Sequence, residues 1–541
     1  MSTTDTGEDR PTDEDGVPDD AWPTGRQLRS LTRDATEAHT GGNFFEVISE
    51  VYSVVFSAAI ALAVALGAVQ GLNATITTGP EVHTLDPTWL AVVAALIVAG
   101  AVVGLAGRIG PIGMGGGQAV WWLTTPADRR GLLRPRSVLV PIMGAVVGAA
   151  GGLLIAFLAL GEPGPALGSI VALCTLAGAA LALAVAAGQV QLGNKRAARV
   201  RPAALIGDIL MAAGPLLGLI LVFVRPPPLN LPSGTVAVVA IAVLAVLVVA
   251  LVVRVDTGLN AISGRELRAR GAVSAYAAGA VTSVDTRELG RALSVSTAPD
   301  QRRRSARLSW VRGPISAIVT GDALVLARSP RHLIQIAVAA SVALMALLAG
   351  WPTGVNVAML LIGGYLAAMA TAESARRAEM APVLDRFFPI SAFDVRRVRI
   401  ILPGVIMVLW SAGVFAVWGA THGSLPGWIV LGVIAAPTFA AGVVRAAYRK
   451  PPDWTKPLVT GPMGPVPPGV LLAFARGPDL VVLCLIPTLI ALIAFGPTFV
   501  LVWLQAATSA IAFAIATHVK DEKKPSMMER AAEAQKAAGA R

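Results

Sequence analysis

Charged residues are scarce in this sequence. Only 14% of its 541 residues are Asp, Glu, Lys or Arg, where an ordinary globular domain has about 25%, and 55% are hydrophobic. That is too little polar surface for a water-soluble fold of this size, so the composition points to a lipid environment. Cysteine is nearly absent, and Cys174 and Cys484 cannot staple a disulfide scaffold. Histidine is rare too: His39, His83, His332, His422 and His518 include no H-x-x-x-H pair, so no metal site is indicated and no cofactor is expected. A G-x-x-x-x-G-K-[ST] run is missing, so nothing is built to cradle ATP phosphates. The 55 glycines and 37 prolines follow no G-X-Y period, which excludes collagen-like chains.

What is present is a succession of apolar runs, each near the roughly 20 residues that cross about 30 Å of hydrocarbon. Six lie in the first half, at 52–71, 88–106, 138–160, 167–189, 205–224 and 235–253. Six more follow at 333–350, 354–372, 398–419, 427–444, 480–496 and 498–517. The sequence therefore predicts an all-α polytopic membrane protein of about 12 transmembrane helices, with both termini cytoplasmic. The last two spans are the least secure, because Gly496 and Pro497 fit a kink in one long helix as well as a hairpin.

Arginine and lysine set the orientation. The outer loops become 72–87, 161–166, 225–234, 351–353, 420–426 and 496–497, and of 44 basic residues only Arg225 falls outside. The inner loops hold Arg129, Arg130, Arg134 and Arg136, then Lys195, Arg196, Arg199 and Arg201. Further along come Arg302, Arg303, Arg304, Arg307 and Arg312, and then Arg376, Arg377, Arg386, Arg396, Arg397 and Arg399. The net charge of +11 is thus a topology signal, and no nucleic-acid partner is expected. Seven lysines against 37 arginines suit a GC-rich bacterial genome, which makes a bacterial cytoplasmic membrane the expected location.

Residues 1–20 carry eight acids and one arginine, and the tail 1–26 is expected to be disordered. The first six-span half is 27–254, opened by an amphipathic stretch with Leu28, Leu31, Phe44 and Phe45 against Arg29, Arg33 and Glu37, suited to the membrane surface. A basic cytoplasmic linker at 255–318, a second half at 319–517 and a cytoplasmic tail at 518–541 complete the chain.

The halves echo each other. TPADRRGLLRPRSVLVP at 125–141 and FPISAFDVRRVRIILP at 388–403 both lead into the third span of their half. Each has a proline (Pro126, Pro389), an aspartate (Asp128, Asp394) and a double arginine (Arg129 and Arg130, Arg396 and Arg397). The prolines fix the chain direction, and the aspartates are placed to begin short helices. GDILMAAGP at 207–215 likewise matches GPDLVVLCLIP at 477–487, which pairs Asp208 with Asp479. Either these carboxylates meet loop arginines at a cytoplasmic gate, or they cap helix N-termini. Parallel repeats of this kind build transporters whose halves face each other across a pathway.

A third pattern precedes spans seven and eleven. An apolar stretch ends in Arg328-Ser329-Pro330 and in Arg476-Gly477-Pro478, as in an interfacial helix that stops, turns and enters the bilayer. The elbow D-x-L-x-L-x-R-x-P (Asp322, Leu324, Leu326, Arg328, Pro330), with the basic loops between second and third spans, resembles the permease subunits of type-2 ABC exporters. The resemblance implies six spans per half, and an elbow and loop that rest on a separate ABC ATPase subunit. It further implies coupling loops at Pro126, Asp128, Arg129, Arg130, Pro389, Asp394, Arg396 and Arg397, with Asp322, Arg328, Pro330, Arg476, Pro478, Asp208 and Asp479 as elbow or gate. Two fused halves match a whole permease pair, as in uncharacterised actinobacterial membrane proteins. The first half departs from the pattern, since its elbow at 27–50 lacks the Arg-x-Pro stop.

Other chemistry is thinly represented. MGGGQ at 114–118 reads as a flexible inner loop before Trp121 and Trp122. Glu81, His83 and Asp86 lie in an outer loop too small to hold a glycan donor. With no midplane carboxylate to carry protons, an ABC-coupled permease without catalytic residues is favoured over a secondary carrier or channel, or a non-transporting scaffold or regulator. Membrane lipid and an ATPase are the expected partners.

Overall fold

Inside hydrocarbon a segment must satisfy its own backbone, and the helix does so without a neighbour. In the computed structural model of the chain, ten described helices are long and apolar enough to cross a membrane, and one bent pair makes an eleventh. The structure describes residues 23–40, parts of 59–71, 85–161, 164, 166–192, 202–282, 308–385, 387–449, 459–461, 464–466 and 476–518. Residues 52–58, 61 and 68 of the expected first span, most of the acidic tail, the basic run at 195–201, Arg302, Arg303, Arg304, Arg307, Glu81 and His83 lie outside those residues. The chain divides into two compact units, Met1–Arg303 with Trp454–Pro468, and Arg304–Asp453 with Gly469–Arg541.

The first unit contains α1 (Gly25–Thr40), α2 (Pro87–Ile109), α3 (Gly116–Trp121), α4 (Arg129–Leu160), α5 (Ala166–Leu192), α6 (Pro202–Val224), α7 (Gly234–Gly258) and α8 (Gly264–Thr282). A two-stranded antiparallel ribbon, β1 (Val459–Gly461) with β2 (Gly464–Val466), also belongs to it. Its helices pair as α4 on α5, α2 on α6 and α5 on α7. Where lipid is as apolar as the side chains, close approach through small residues holds helices together. Gly144, Gly148 and Gly152, one turn apart on α4, face Gly178 and Cys174 of α5. The α2–α6 seam is as tight: a carbon added at Gly207 would lie 2.3 Å from the backbone of Gly104.

The glycine-rich stretch at 114–118 corrects an expectation. Met114 and Gly115 end a loop that neighbouring elements pin in place, and Gly116–Gln118 open α3. Gln189 of α5 donates to the Ile112 carbonyl at 2.7 Å and accepts from the Ile112 amide at 3.1 Å. The Met114 amide donates to the Leu267 carbonyl at 2.9 Å, and Arg136 donates to the Gly113 carbonyl at 2.6 Å. Ile112 and Met114 are fully buried. The loop is held because α8, within the segment 255–318, folds back against α2 and α3. Gly271 brings its backbone so close to Met114 that no side chain would fit between them.

The second unit contains α9 (Pro314–Ala327), α10 (Pro330–Leu348), α11 (Thr353–Thr371), α12 (Glu373–Met380), α13 (Pro382–Asp385), α14 (Ala392–His422) and α15 (Leu425–Ala447). It continues with α16 (Pro478–Cys484), α17 (Ile486–Ile490) running into a π-helical turn at Ala491–Phe495, and α18 (Phe499–Thr517). In both units the expected third span packs on the fourth, the fourth on the sixth and the second on the third. The core is aromatic, with the rings of Trp418 and Phe415 tilted against Trp428 at centroid distances of 6.0 and 6.4 Å. Gly496 (φ +69°) makes a turn, and the Thr498 side chain caps α18. The last two spans are therefore separate helices, and the bend lies earlier, 54° between α16 and α17.

Two outcomes follow. In a Cys174→Ala/Cys484→Ala background, cysteines at Gly164 or Asn230 should react with an impermeant maleimide in intact cells, and cysteines at Arg130 or Arg397 only after the membrane is opened. The opposite labelling overturns the orientation. Gly207→Val should lower stability in detergent by at least the roughly 1–3 kcal/mol of an overpacked core. Gly188→Ala, where the added carbon meets nothing within 4 Å, should leave it unchanged, and equal unfolding midpoints for both variants would contradict the seam.

Candidate functional site

Both basic loops start the longest helix of their unit. Asp128 caps α4, accepting from the Arg130 amide at 3.2 Å and the Gly131 amide at 2.9 Å. In the second unit Ser391 caps α14, accepting from the Asp394 amide at 3.1 Å while its hydroxyl donates to the Asp394 carboxylate at 2.6 Å. The expectation of short separate helices is corrected: loop and span form one helix of 32 residues in the first unit and 31 in the second. Pro135, Pro141 and Pro403 ride inside these helices without ending them. Pro126 and Pro389 are exposed just before the caps.

The loop arginines are occupied within the chain. Arg130 pairs with Asp256 near the C-terminus of α7, where Arg134 also reaches at 3.2 Å. The Arg130 amide donates to Asn260 at 2.7 Å, and Arg129 donates to the Ile262 carbonyl at 2.8 Å. In the second unit Arg396 donates to the His518 carbonyl just past α18 at 3.2 Å and lies 4.5 Å over the Tyr448 ring. Arg397 is exposed and sits 4.9 Å over Phe393. So in each unit the basic start of the third span is fastened to the end of the sixth, where the helix dipole favours a cation. Beside these arginines the loops display apolar side chains: Trp121 is 73% exposed, Phe387 79%, and Met380 and Val383 are exposed with it.

The elbow and gate residues separate into three arrangements. Asp322 lies in α9, a helix of 14 residues and too short to span, and is only 4% exposed. It accepts from Arg399 of α14 at 2.9 Å, and Arg399 also donates to Asp385 at 2.6 Å. Burial pushes the Asp322 carboxyl up to about 6, against Arg399 and Ser374, which favour its ionised form, and with Asp385, which opposes it. Arg328 ends α9 and Pro330 opens α10. Asp208 of α6 pairs with Arg108 in the last turn of α2. Asp479 pairs with Arg445 of α15 at 3.1 Å and also accepts from the Gly477 and Leu480 amides at 2.7 Å, so it both pairs and caps. Pro478 opens α16, and Arg476 is exposed before it. Asp86 caps α2, accepting from the Thr88 amide at 2.8 Å.

The sequence reading passed over Asp256, the pairing of Arg399, and Gln505. Gln505 is fully buried among Thr438, Thr488 and Ser509. Its only signal is a Gln and a Ser one turn apart in an apolar run. Among the described residues no group of three His, Cys, Asp or Glu side chains is placed to hold a metal ion.

Asp322 yields a pH dependence. In the unfolded chain its carboxyl titrates near 3.8, so the stability it contributes is fully present below that pH and is lost as pH rises through about 6. Relative to Asp322→Asn, which does not titrate, the thermal midpoint of the wild-type protein in detergent should fall across that window. Parallel pH profiles for the two proteins would show that Asp322 does not bind its proton this tightly.

No curated protein and no solved structure matches the chain. A family model described as a family of unknown function, DUF6297, matches residues 80–457. With that match spanning more than half of its length, this multi-pass helical membrane protein belongs to the DUF6297 family.

Proposed function

We propose that the chain is the membrane-spanning, permease-like part of an exporter, made of two tandem six-span halves in a bacterial cytoplasmic membrane with both termini inside. A separate ABC ATPase supplies the energy, and the chain itself has no catalytic residues. The observation that carries this reading is the one-piece construction of loop and third span in each unit. A push on the loop at 125–136 or 388–399 is delivered along an unbroken helix about 45–50 Å long at roughly 1.5 Å per residue, and through the arginines to the end of the sixth span. Charged side chains of the described spans stand near one end of each helix. That placement supports energy arriving from outside the bilayer over a secondary carrier, whose midplane would need a titrating group.

Because Arg129, Arg130 and Arg396 already have partners, an ATPase would meet the exposed tips: Trp121 and Pro126 in one unit, Phe387, Pro389 and Arg397 in the other. Co-expressed with the ABC ATPase encoded nearest to it, the wild-type protein should co-purify with that subunit and stimulate its ATP hydrolysis. Trp121→Asp with Phe387→Asp should insert normally yet lose about tenfold or more in affinity for it, as removal of exposed aromatic anchors does. Unchanged association would move the contact elsewhere, and transport that persists without ATP would replace this reading with a secondary carrier.

A further inference from the structure

The bend in the eleventh span has two causes of different kinds. Pro487 opens one rung of the helical ladder, since it has no N–H for the Leu483 carbonyl and its ring crowds that carbonyl. It does not open the next. In an unbroken helix the Thr488 amide donates to the Cys484 carbonyl four residues back. Here the Thr488 amide donates instead to Oε1 of Gln505 at 3.3 Å, and the Cys484 carbonyl accepts from Nε2 of the same side chain at 3.1 Å. One amide from α18 thus stands between a donor and an acceptor that would otherwise bond each other. It presents an acceptor to the first and a donor to the second, as a peptide group would.

The rest of that amide is also engaged. The Thr488 hydroxyl donates to Oε1 at 2.8 Å, and Nε2 reaches Ser509 at 3.0 Å. Ser509 in turn donates to the Ile434 carbonyl of α15 at 2.7 Å and meets Thr438 at 2.9 Å. Three helices are therefore tied at one buried point. The first unit has no counterpart: α6 runs unbroken through Pro215, and residues 236–253 of α7 are wholly apolar.

We propose that Gln505 is a removable rung that holds the eleventh span bent while inserted. Its withdrawal closes the Cys484–Thr488 bond, reduces the bend to that imposed by Pro487 alone and swings the half-helix α16. Both states satisfy the two backbone groups, which is the condition for either to exist in hydrocarbon. In the straighter state the amide keeps hydroxyl partners in Ser509 and Thr438. The lever is α16, whose Asp479 meets Arg445 at its far end. This inference does not depend on the transport reading.

The test uses the full-length protein in a Cys174→Ala/Cys484→Ala background, with spin labels at Arg476 and Arg397 and distances read by pulsed electron resonance. Gln505→Leu should shift the distance distribution by about 5 Å or more. A seven-residue arm, about 10 Å long at roughly 1.5 Å per residue, would move its tip by about 9 Å on full release from 54°, and Pro487 retains part of that bend. Pro487→Ala, in which the Gln505 amide still stands between Thr488 and Cys484, should keep the wild-type distances, and Pro487→Ala/Gln505→Leu should shift them in the same direction as Gln505→Leu. A monodisperse, helical Gln505→Leu protein with wild-type distances overturns the proposal. If that variant does not fold, wild-type distances in a folded Gln505→Met protein, whose side chain fills the same space without an amide, overturn the proposal equally.

Discussion

Hydrocarbon offers no hydrogen-bond partner to a peptide group and no solvation to a charge, and most of this structure follows from meeting that condition. Backbone groups are satisfied within helices. Ionised side chains are moved to helix ends and matched there, as Arg108 is with Asp208 and Arg445 with Asp479. Helices that cannot be driven together by water are joined through bare backbone, at Gly104 against Gly207 and at Gly148 against Cys174. Where a helix does break within the bilayer, at Leu485, an amide from a neighbour is brought in to complete it.

The same condition explains why arginine serves two purposes here. A guanidinium near a span end orients the segment and also has donors to spare. Arg399 holds two aspartates from two different elements, drawing the elbow helix onto the start of α14. Removing it would leave the buried Asp322 carboxylate without its counter-charge, a cost of about 3–5 kcal/mol, and the half-buried Asp385 without this partner. Arg130 and Arg396 do comparable work at the ends of α7 and α18. Arginines at these helix ends are thus consumed in tying helices to one another, and side chains such as Phe387 are left exposed.

The spans were legible because hydropathy is a local property and their length is fixed by the bilayer; all ten described helices fall on predicted runs. The echo between loops was legible too, since its residues are polar and sparse. Partners were not. Nothing in the local sequence says that Arg130 meets Asp256, 126 residues away, or that Gln189 clamps Ile112 across 77. The loop at 114–118 looked loose because glycine permits any conformation, and only the packed α8 shows why small residues are needed there. Gln505 escaped notice because a neutral amide barely lowers the hydropathy of a run, although its effect on the neighbouring helix is large.

The return of α8 beneath α2 bears on how the chain can be divided into separately made polypeptides. Ile112, Met114, Leu259, Ile262 and Leu267 share one buried cluster, closed by the contact of Gly271 with Met114. A fragment ending at the last apolar residue of α7 would lack Leu259, Ile262 and Leu267 of that cluster and leave the Met114 amide without its acceptor. A fragment carried on through Thr282 keeps the cluster whole. The first half as a self-sufficient piece is therefore longer than its membrane-spanning part, by the length of one returning helix.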